Sequence, residues 1–240
     1  MGKIRLYIKS ADILDILAIR DKDTIHKLRN VLRLKKGSLI YIFDGEGKEY
    51  SYIIEDINKH HCRIRQKEAF TKIAFSQKRI TLVFPLVRED KIDFILQKGT
   101  ELGVHHFIPF CCDRTLNIKC SKAKLARWNK IIIEATRQSE RFWLPTLSNI
   151  LTLEEVTSCI YDYKLVATVQ GEYFKGNFEG KSYTILIVVG PEGGFSESEK
   201  LLFDKNKFKT IKLSPNILRV ETACILSIGL INYFINERCI

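Results

Sequence analysis

The first 70 residues alternate hydrophobic and polar positions in short runs. The segments KIRLYI, SLIYIF, EYSYIIEDI and CRIRQKEAF have the period-two pattern that is typical of half-buried strands. The DGEG sequence at Asp44–Gly47 separates two of these runs and predicts a hairpin turn. Between the strands, TIHKLRNVLRLKKG has helical spacing, with Ile25, Leu28 and Leu32 on one face. We therefore expect residues 1–71 to form a small β-barrel-like domain with one basic helix.

From about residue 72 the pattern changes to continuous apolar runs that alternate with amphipathic helices. ITLVFPL, VHHFIPF, KLVATV and ILIVVG are largely apolar, which is typical of parallel strands that are covered on both faces. Helices are predicted near Asp90–Leu102, from Ser121 to about Arg141, from Ser196, and from about Val220. This alternation predicts an α/β domain over residues 72–240 with a mostly parallel sheet.

The net charge of the 240-residue chain is +11, which favours a polyanionic partner, either nucleic acid or an anionic membrane face. A lysine-rich proteome is the alternative explanation. Residues 1–70 hold 15 Lys and Arg against 10 Asp and Glu, whereas the remaining residues hold 24 against 18. Positive charge per residue is therefore higher in the first domain, which favours a localised contact. The predicted helix supplies the candidate residues, with no acid among them: Lys27, Arg29, Arg33, Lys35 and Lys36.

Other features of the sequence argue against several classes of protein. No apolar run approaches the ~20 residues that cross a bilayer, and MGKIRLYIKS does not have the pattern of a signal peptide. The seven cysteines show no C-x-x-C spacing, and the pairs His60–His61 and His105–His106 lack partners at metal-ligand spacing. We therefore expect a soluble cytoplasmic protein with reduced thiols, no metal site and no membrane contact.

The segment VVGPEGGFSESE is a candidate binding loop. A buried strand ends at Gly190, and a helix begins at Ser196, which forms an S-x-x-E capping box with Glu199. Ligands of open parallel sheets bind beyond the carboxyl ends of the strands, where glycines allow close approach of the backbone. The segment is neither G-x-G-x-x-G nor a phosphate loop with G-K-[ST]. From the residues alone, Pro191–Gly194 is either a binding loop or only a tight turn.

The segment KLSPNILRVETA has the same arrangement of strand, loop and helix. Pro215 delays the helix, which then begins near Arg219–Glu221 with its unpaired amides exposed. An acid and a hydroxyl suit a first helical turn, so Glu221 and Thr222 are explained by the helix dipole and by capping. By itself, this pattern makes Arg219 an ordinary ion-pair partner of Glu221.

Taken together, the two loops resemble the paired signatures of a known family. VVGPEGGFSESE followed by LSPNILRVETA is similar to the small-subunit ribosomal RNA uridine-N3 methyltransferases of the SPOUT superfamily. HKLRNVLRLKKG, FDGEG, LQKGTELGV and RWNKIIIEATRQSER agree with the same family, in order, so the resemblance spans nearly the whole chain. It implies a PUA-like β-barrel that binds RNA, followed by an α/β domain with a C-terminal trefoil knot. It also implies the cofactor S-adenosylmethionine, a small-subunit ribosomal RNA or assembled small subunit as substrate, and a homodimer.

The resemblance further implies which residues form the cofactor site. These residues are Gly190, Glu192, Gly193, Gly194, Leu213, Ser214, Asn216, Ile217, Leu218, Thr222 and Ala223. The family commonly reads LGPRILRTETA, so three positions depart from it. Ser214 replaces a glycine at the closest backbone approach, Asn216 replaces an arginine that would contact RNA or cofactor, and Val220 replaces a threonine.

Methylation of uracil N3 requires loss of the imide proton and stabilisation of charge on the uracil oxygens. Arg219 is the candidate for those oxygens, because its planar guanidinium offers paired donors. Glu221 either orients Arg219 or accepts the proton; we favour orientation, because a carboxylate beside a guanidinium is a weak base. Alternatives to catalysis are a non-catalytic RNA-binding or ribosome-assembly protein and, more weakly, a nucleotide-dependent enzyme.

The helix predicted from Ser121 presents a second set of candidate residues. Glu134, Gln138 and Arg141 are spaced i, i+4 and i+7, which places them on one helical face. This face is either solvated and salt-bridged or, as the resemblance suggests, part of an RNA or cofactor cleft that a partner subunit completes. In that second case Glu134 and Gln138 join the catalytic set and Arg141 contacts RNA. The last helix is apolar on nearly all sides, which favours contact with a second copy of the chain.

Overall fold

The computed structural model describes residues 3–115 and 121–237. The chain divides into two compact units, which we call the N-terminal and C-terminal units. The N-terminal unit comprises Met1–Phe75 together with the separate segment Glu140–Leu144. The C-terminal unit comprises Ser76–Ser139 and Pro145–Ile240.

In its described residues, the N-terminal unit is a five-stranded sheet with one short α-helix and a 3-10 turn at Ser10–Asp12. Its strands are β1 Arg5–Tyr7, β2 Ile16–Ile19, β3 Leu39–Phe43, β4 Lys48–Ile57 and β5 Cys62–Lys72. Their order in the sheet is β1-β3-β4-β5-β2, with β1 parallel to β3 and the other pairs antiparallel. Helix α1, Lys22–His26, continues into a π-helical turn at Lys27–Val31. Ile25 and Leu28 are buried on this helical segment, and Leu28 packs into the core of the sheet, as the spacing predicts.

The predicted hairpin joins β3 to β4 through Asp44–Gly47. The side chain of Asp44 organises the turn, since its Oδ1 accepts hydrogen bonds from the amides of Glu46 at 2.7 Å and Lys48 at 3.0 Å. Gly47 has a φ of 97° and lies against the indole of Trp143, where a Cβ would come within 2.5 Å of the ring. Glycine is therefore required at this position both by its conformation and by the close contact.

The segment Glu140–Leu144 was not expected in the N-terminal unit. Arg5, which is 1 % exposed, donates to the backbone oxygen of Arg141 at 2.9 Å and pairs with Glu49 at 2.6 Å. Trp143 Nε1 donates to the backbone oxygen of Ile73 at 2.9 Å. The helix predicted to reach Arg141 therefore ends earlier, at Gln138, and Glu140 has a left-handed φ of 56°. The expectation that Arg141 shares a helical face with Glu134 and Gln138 is wrong.

The C-terminal unit is a seven-stranded sheet whose strand pairs, within the described residues, are all parallel. The strands are β6 Lys78–Pro85, β7 His106–Cys111, β8 Thr146–Leu147, β9 Leu151–Thr152, β10 Tyr163–Tyr173, β11 Tyr183–Val189 and β12 Lys209–Lys212. The helices are α2 Glu89–Glu101, α3 Lys122–Gln138, α4 Leu153–Ser158, α5 Glu197–Lys205 and α6 Val220–Glu237. The order is β12-β10-β11-β6-β7-β8, with β9 also paired to β7.

Helices cover this sheet as the continuous apolar strands predict. Side chains of α4 and α5, including Val156 and Phe203, join strand residues such as Val83 and Val188 in one core cluster. Helix α6 packs on β6, β11 and α2, and α2 packs in turn on α3. In the described part of the chain, no helix combines the length and apolar character that a bilayer crossing needs.

Candidate active site

Two loops extend from the carboxyl ends of strands β11 and β12 in the C-terminal unit. We call residues 190–195, between β11 and α5, the glycine loop, and residues 213–219, between β12 and α6, the proline loop. Strand β10 lies between β11 and β12, and its Ala167 pairs with Val189 on one side and Ile211 on the other. The two predicted loops therefore begin at the same edge of the sheet.

The glycine loop combines close packing with open space. A Cβ on Gly190 would lie 2.7 Å from the ring of Phe195, and one on Gly193 would lie 3.1 Å from Arg114. Gly194 has a φ of 67°, and a Cβ there would meet no atom within 4 Å. The capping box predicted for α5 is confirmed, because Ser196 and Glu199 bond reciprocally to each other's backbone amides. The capping box therefore holds the end of this loop, whereas the space beside Gly194 is open.

The proline loop is shaped by its own polar residues. Ser214 Oγ accepts a hydrogen bond from the amide of Asn216 at 3.1 Å, so the hydroxyl that replaces the family's glycine is engaged within the loop. The side chains of Asn216, Ile217 and Arg219 are exposed, whereas Leu213, Ser214 and Leu218 are half-buried. Helix α6 then begins at Val220, with Glu221 in its first turn.

Lys91 of α2 contacts both the glycine loop and the first turn of α6. Its Nζ forms a hydrogen-bonded ion pair with Glu192 of the glycine loop and lies 3.7 Å from Oε2 of Glu221. The hydrogen bond to Glu192 raises the pKa of Lys91, and the charge of Glu221 adds to this effect. The same hydrogen bond lowers the pKa of Glu192, helped by the charges of Arg219 and Arg88. Glu192, Arg219 and Glu221 are thus clustered around a lysine that the sequence analysis did not identify.

Two buried polar atoms at this edge lack hydrogen-bond partners. Oε2 of Glu221 is buried without a hydrogen bond, although Lys91 is near. Oγ1 of Thr168 is also buried and unsatisfied, and Thr168 directly follows the residue that pairs with both loop-bearing strands. Unsatisfied buried groups of this kind are costly, and a bound ligand offers them partners. Thr168 is therefore a further candidate that the sequence reasoning missed.

The loop that follows β7 also contacts the glycine loop. Arg114 donates to the backbone oxygen of Gly193. Asp113 Oδ2 accepts a hydrogen bond from Ser196 Oγ at 2.9 Å, and its amide donates to Glu199 at the same distance. Gly193 and the start of α5 are therefore bonded to the loop at a third strand end.

Glu134 and Gln138 lie apart from these loops. They line a cleft of about 660 Å³ between α2 and α3, together with Asp93 and Arg127. None of the described residues of the glycine or proline loop lines this cleft, and Glu134 pairs with Arg137 at 2.8 Å. Within one chain, the structure therefore separates Glu134 and Gln138 from Arg219 and Glu221. Their participation through a second copy stays a prediction.

The candidate RNA contacts lie in the N-terminal unit. Arg29, Arg33, Lys35 and Lys36 are exposed along one continuous segment, and Lys27 is half-buried. Arg33 itself has a left-handed φ of 53°, at the point where the helix ends. Burial lowers the pKa of Arg141 to about 10, so its guanidinium remains charged at neutral pH.

Comparisons with known proteins agree with this architecture. A family described as RNA methyltransferase domain matches residues 75–232, and one described as RNA methyltransferase PUA domain matches residues 19–67. The expected α/β fold with a PUA-like N-terminal domain is thereby confirmed. The ribosomal RNA small subunit methyltransferase E of Rickettsia conorii is 32% identical over 214 residues, which cover 85% of this chain and 84% of the relative.

Solved structures give the same result. The ribosomal RNA small subunit methyltransferase E of Neisseria gonorrhoeae, bound to S-adenosyl methionine, has a TM-score of 0.83 and 29% identity, covering 95% of this chain and 96% of the other. A methyltransferase from Legionella pneumophila with bound cofactor SAM has a TM-score of 0.85 and 25% identity, covering 96% and 97%. The chain therefore belongs to the ribosomal RNA small subunit methyltransferase E family of RNA methyltransferases.

Proposed function

We propose that the protein transfers a methyl group from S-adenosylmethionine to N3 of a uridine in small-subunit ribosomal RNA. The observation that carries this proposal is the contact of Lys91 with both the glycine loop and the first turn of α6, which directly follows the proline loop, at the carboxyl ends of parallel strands. Ligands bind at such edges in open α/β sheets. The solved relatives from Neisseria gonorrhoeae and Legionella pneumophila, which are described with this cofactor bound, support the choice of ligand.

The residues present fit this cofactor. The open space beside Gly194 admits a ligand close to the backbone, and the unsatisfied Oγ1 of Thr168 offers a hydrogen bond. The buried Oε2 of Glu221 adds a negative charge that suits a cation. The holding residues are Gly190, Glu192, Gly193, Gly194, Leu213, Ser214, Asn216, Ile217, Leu218, Thr222 and Ala223. When bound, the cofactor supplies an electrophilic methyl group on a positively charged sulfur.

Arg219 and Glu221 would act on the acceptor base. Arg219 is exposed at the end of the proline loop, where its guanidinium is free to meet the oxygens of a uracil that enters from solvent. Donors placed there stabilise the negative charge that develops as N3 loses its proton. Glu221 is fixed in the first turn of α6 and faces Lys91, which suits orientation of Arg219 better than proton transfer.

The N-terminal unit would hold the RNA backbone. The acid-free segment with Lys27, Arg29, Arg33, Lys35 and Lys36 offers salt-dependent phosphate contacts without choice of base, and Arg141 is placed in the same unit. The substrate is then small-subunit ribosomal RNA or the assembled small subunit, which implies a cytoplasmic location.

We also propose a knotted C-terminal unit and a homodimer. Strand β12 lies outside β10, yet α6 returns to β6 and β11, and its Phe234 packs on Phe174 at the end of β10 with ring centroids 5.3 Å apart. This path supports the trefoil knot expected for the superfamily. The exposed side chains of Ile217 and Tyr233 offer an apolar surface to a second copy, which would bring its Glu134 and Gln138 to the site.

The test is methyl transfer with labelled S-adenosylmethionine to small subunits, and to free RNA, from cells that lack the modification. We expect one labelled uridine that blocks reverse transcription, because a methyl group on N3 occupies the pairing edge of the base. Arg219→Ala and Arg219→Lys should both bind the cofactor but lose turnover, since lysine lacks the paired donors. Cofactor binding without methylation of any RNA by the wild type would favour the non-catalytic RNA-binding alternative.

A further inference from the structure

Lys91 occupies a position where helix electrostatics disfavours a cation. It lies in the first turn of α2, after Glu89 and Asp90, and its amide donates to the backbone oxygen of Arg88 at 3.1 Å. The positive end of the helix dipole repels a lysine placed there. The side chain is nevertheless 19% exposed, and its ammonium group meets one carboxylate of the glycine loop and one in the first turn of α6. The contacts made by its ammonium group must therefore outweigh the dipole.

We propose that Lys91 is a positioning residue that fixes the glycine loop and the first turn of α6 relative to each other. This inference rests on the proposed function of the same site. Glu192 and Glu221 come from segments that are separated by α5 and β12, and one ammonium group contacts both. Without that cation, two like charges would face each other across the space that its ammonium group fills, and their repulsion would separate the glycine loop from the first turn of α6.

The two contacts of Lys91 have different roles. Glu192 is 65% exposed on the glycine loop, and its hydrogen bond from Lys91 ties the loop to α2. Glu221 is mostly buried, makes no hydrogen bond through Oε2, and is held near Lys91 by charge alone at 3.7 Å. Loss of Lys91 should therefore release the tie between the glycine loop and α2 and leave Glu221 uncompensated. It should also change the charges around Arg219, which interacts electrostatically with both Lys91 and Glu192.

Two substitutions at position 91 and one control variant distinguish the effect of the lysine charge from the effect of its side-chain shape. Lys91→Met keeps the aliphatic stem without the charge, and Lys91→Arg keeps the charge. Lys98→Ala is the matched control, because Lys98 lies on the same helix and pairs with Glu101 at 2.9 Å. Cofactor affinity is measured by calorimetric titration and turnover on small-subunit RNA by methyl incorporation. Loop mobility is measured by hydrogen exchange at the amides of Gly190, Glu192, Gly193 and Gly194.

For Lys91→Met we expect a cofactor Kd about tenfold higher, a lower kcat and faster exchange in the glycine loop. The reason is that the carboxylates of Glu192 and Glu221 both lose their cationic partner. The Kd and kcat of Lys91→Arg should lie within about threefold of the wild-type values, and those of Lys98→Ala should equal the wild-type values. The double variant Lys91→Glu/Glu192→Lys should restore slow exchange but not turnover, because it places an acid opposite Glu221.

Each outcome bears on the inference. Unchanged exchange and unchanged Kd in Lys91→Met would overturn it, and so would a defect confined to the KM for RNA, which would make Lys91 an RNA contact. A wild-type protein that neither binds the cofactor nor methylates RNA would refute the proposed function. The exchange experiment needs no ligand, so it still decides whether Lys91 holds the loop.

Discussion

Replacing Thr168 by valine should have opposite effects on stability and on cofactor affinity. Oγ1 of Thr168 is buried without a hydrogen-bond partner, and valine has nearly the same shape without the hydroxyl. Leaving such a group unsatisfied costs about 1–3 kcal/mol, so Thr168→Val should stabilise the unliganded protein by about 1 kcal/mol. For a protein of this size, that corresponds to a rise in Tm of about 2–4 °C.

The same substitution should weaken binding of S-adenosylmethionine. If the hydroxyl bonds to the cofactor, its loss removes about 1 kcal/mol of binding free energy, which is about a fivefold increase in Kd. Stability is measured by urea unfolding without ligand, and affinity by calorimetric titration. The opposite signs of the two effects distinguish a ligand contact from a residue that only packs.

Thr184→Val is the matched control for this experiment. Thr184 lies near the beginning of β11, at the edge of the sheet away from the loops, and its Oγ1 donates to Asp162 Oδ2 at 2.9 Å. Its replacement should lower stability and leave cofactor affinity unchanged. A Thr168→Val protein that is less stable than the wild type, or that binds the cofactor equally well, would refute the reasoning.

Three further predictions concern the rest of the molecule. Glu49→Ala leaves the buried Arg5 without its carboxylate and should destabilise the N-terminal unit by about 3–5 kcal/mol in urea unfolding; unaltered stability would contradict this. Replacing Arg33 and Lys35 by alanine should lower the slope of log binding constant against log salt concentration by about one to two, as expected for the loss of one or two phosphate contacts. Cofactor affinity should not change. Cys112 should resist iodoacetamide at pH 8 until urea unfolds the protein, because burial raises its pKa to about 12, and mass spectrometry follows the alkylation.

Sequence reasoning succeeded where local chemistry determines the structure. The capping box at Ser196 and the hairpin at Asp44–Gly47 depend on residues within a few positions, so the sequence shows them directly. The start of α6 at Val220 follows from Pro215 and the apolar run behind it. The residues alone place the two loops along the chain, whereas their role as a cofactor site follows only from the resemblance to a known family.

Sequence reasoning failed where partners are distant along the chain. The strands β8 and β9 have two residues each, too few to show a period, and they form only by pairing with β7. The end of α3 was misplaced because Glu140 adopts a left-handed φ without a glycine to signal it. The following segment is held by Arg5 and Gly47, which lie nearly a hundred residues or more away.

The polar start of α6 is explained by the same non-local arrangement. A helix that packs Cys224, Ile228 and Ile231 into the interior needs no charged first turn for its own stability. Glu221 instead faces Lys91, which is itself misplaced with respect to its own helix dipole. Glu221 suits the first turn of its own helix, whereas Lys91 is locally unfavourable and becomes understandable only beside the carboxylates of Glu192 and Glu221. Local inconsistencies of this kind concentrate at functional sites, because selection there acts on the assembled group and not on the element that carries it.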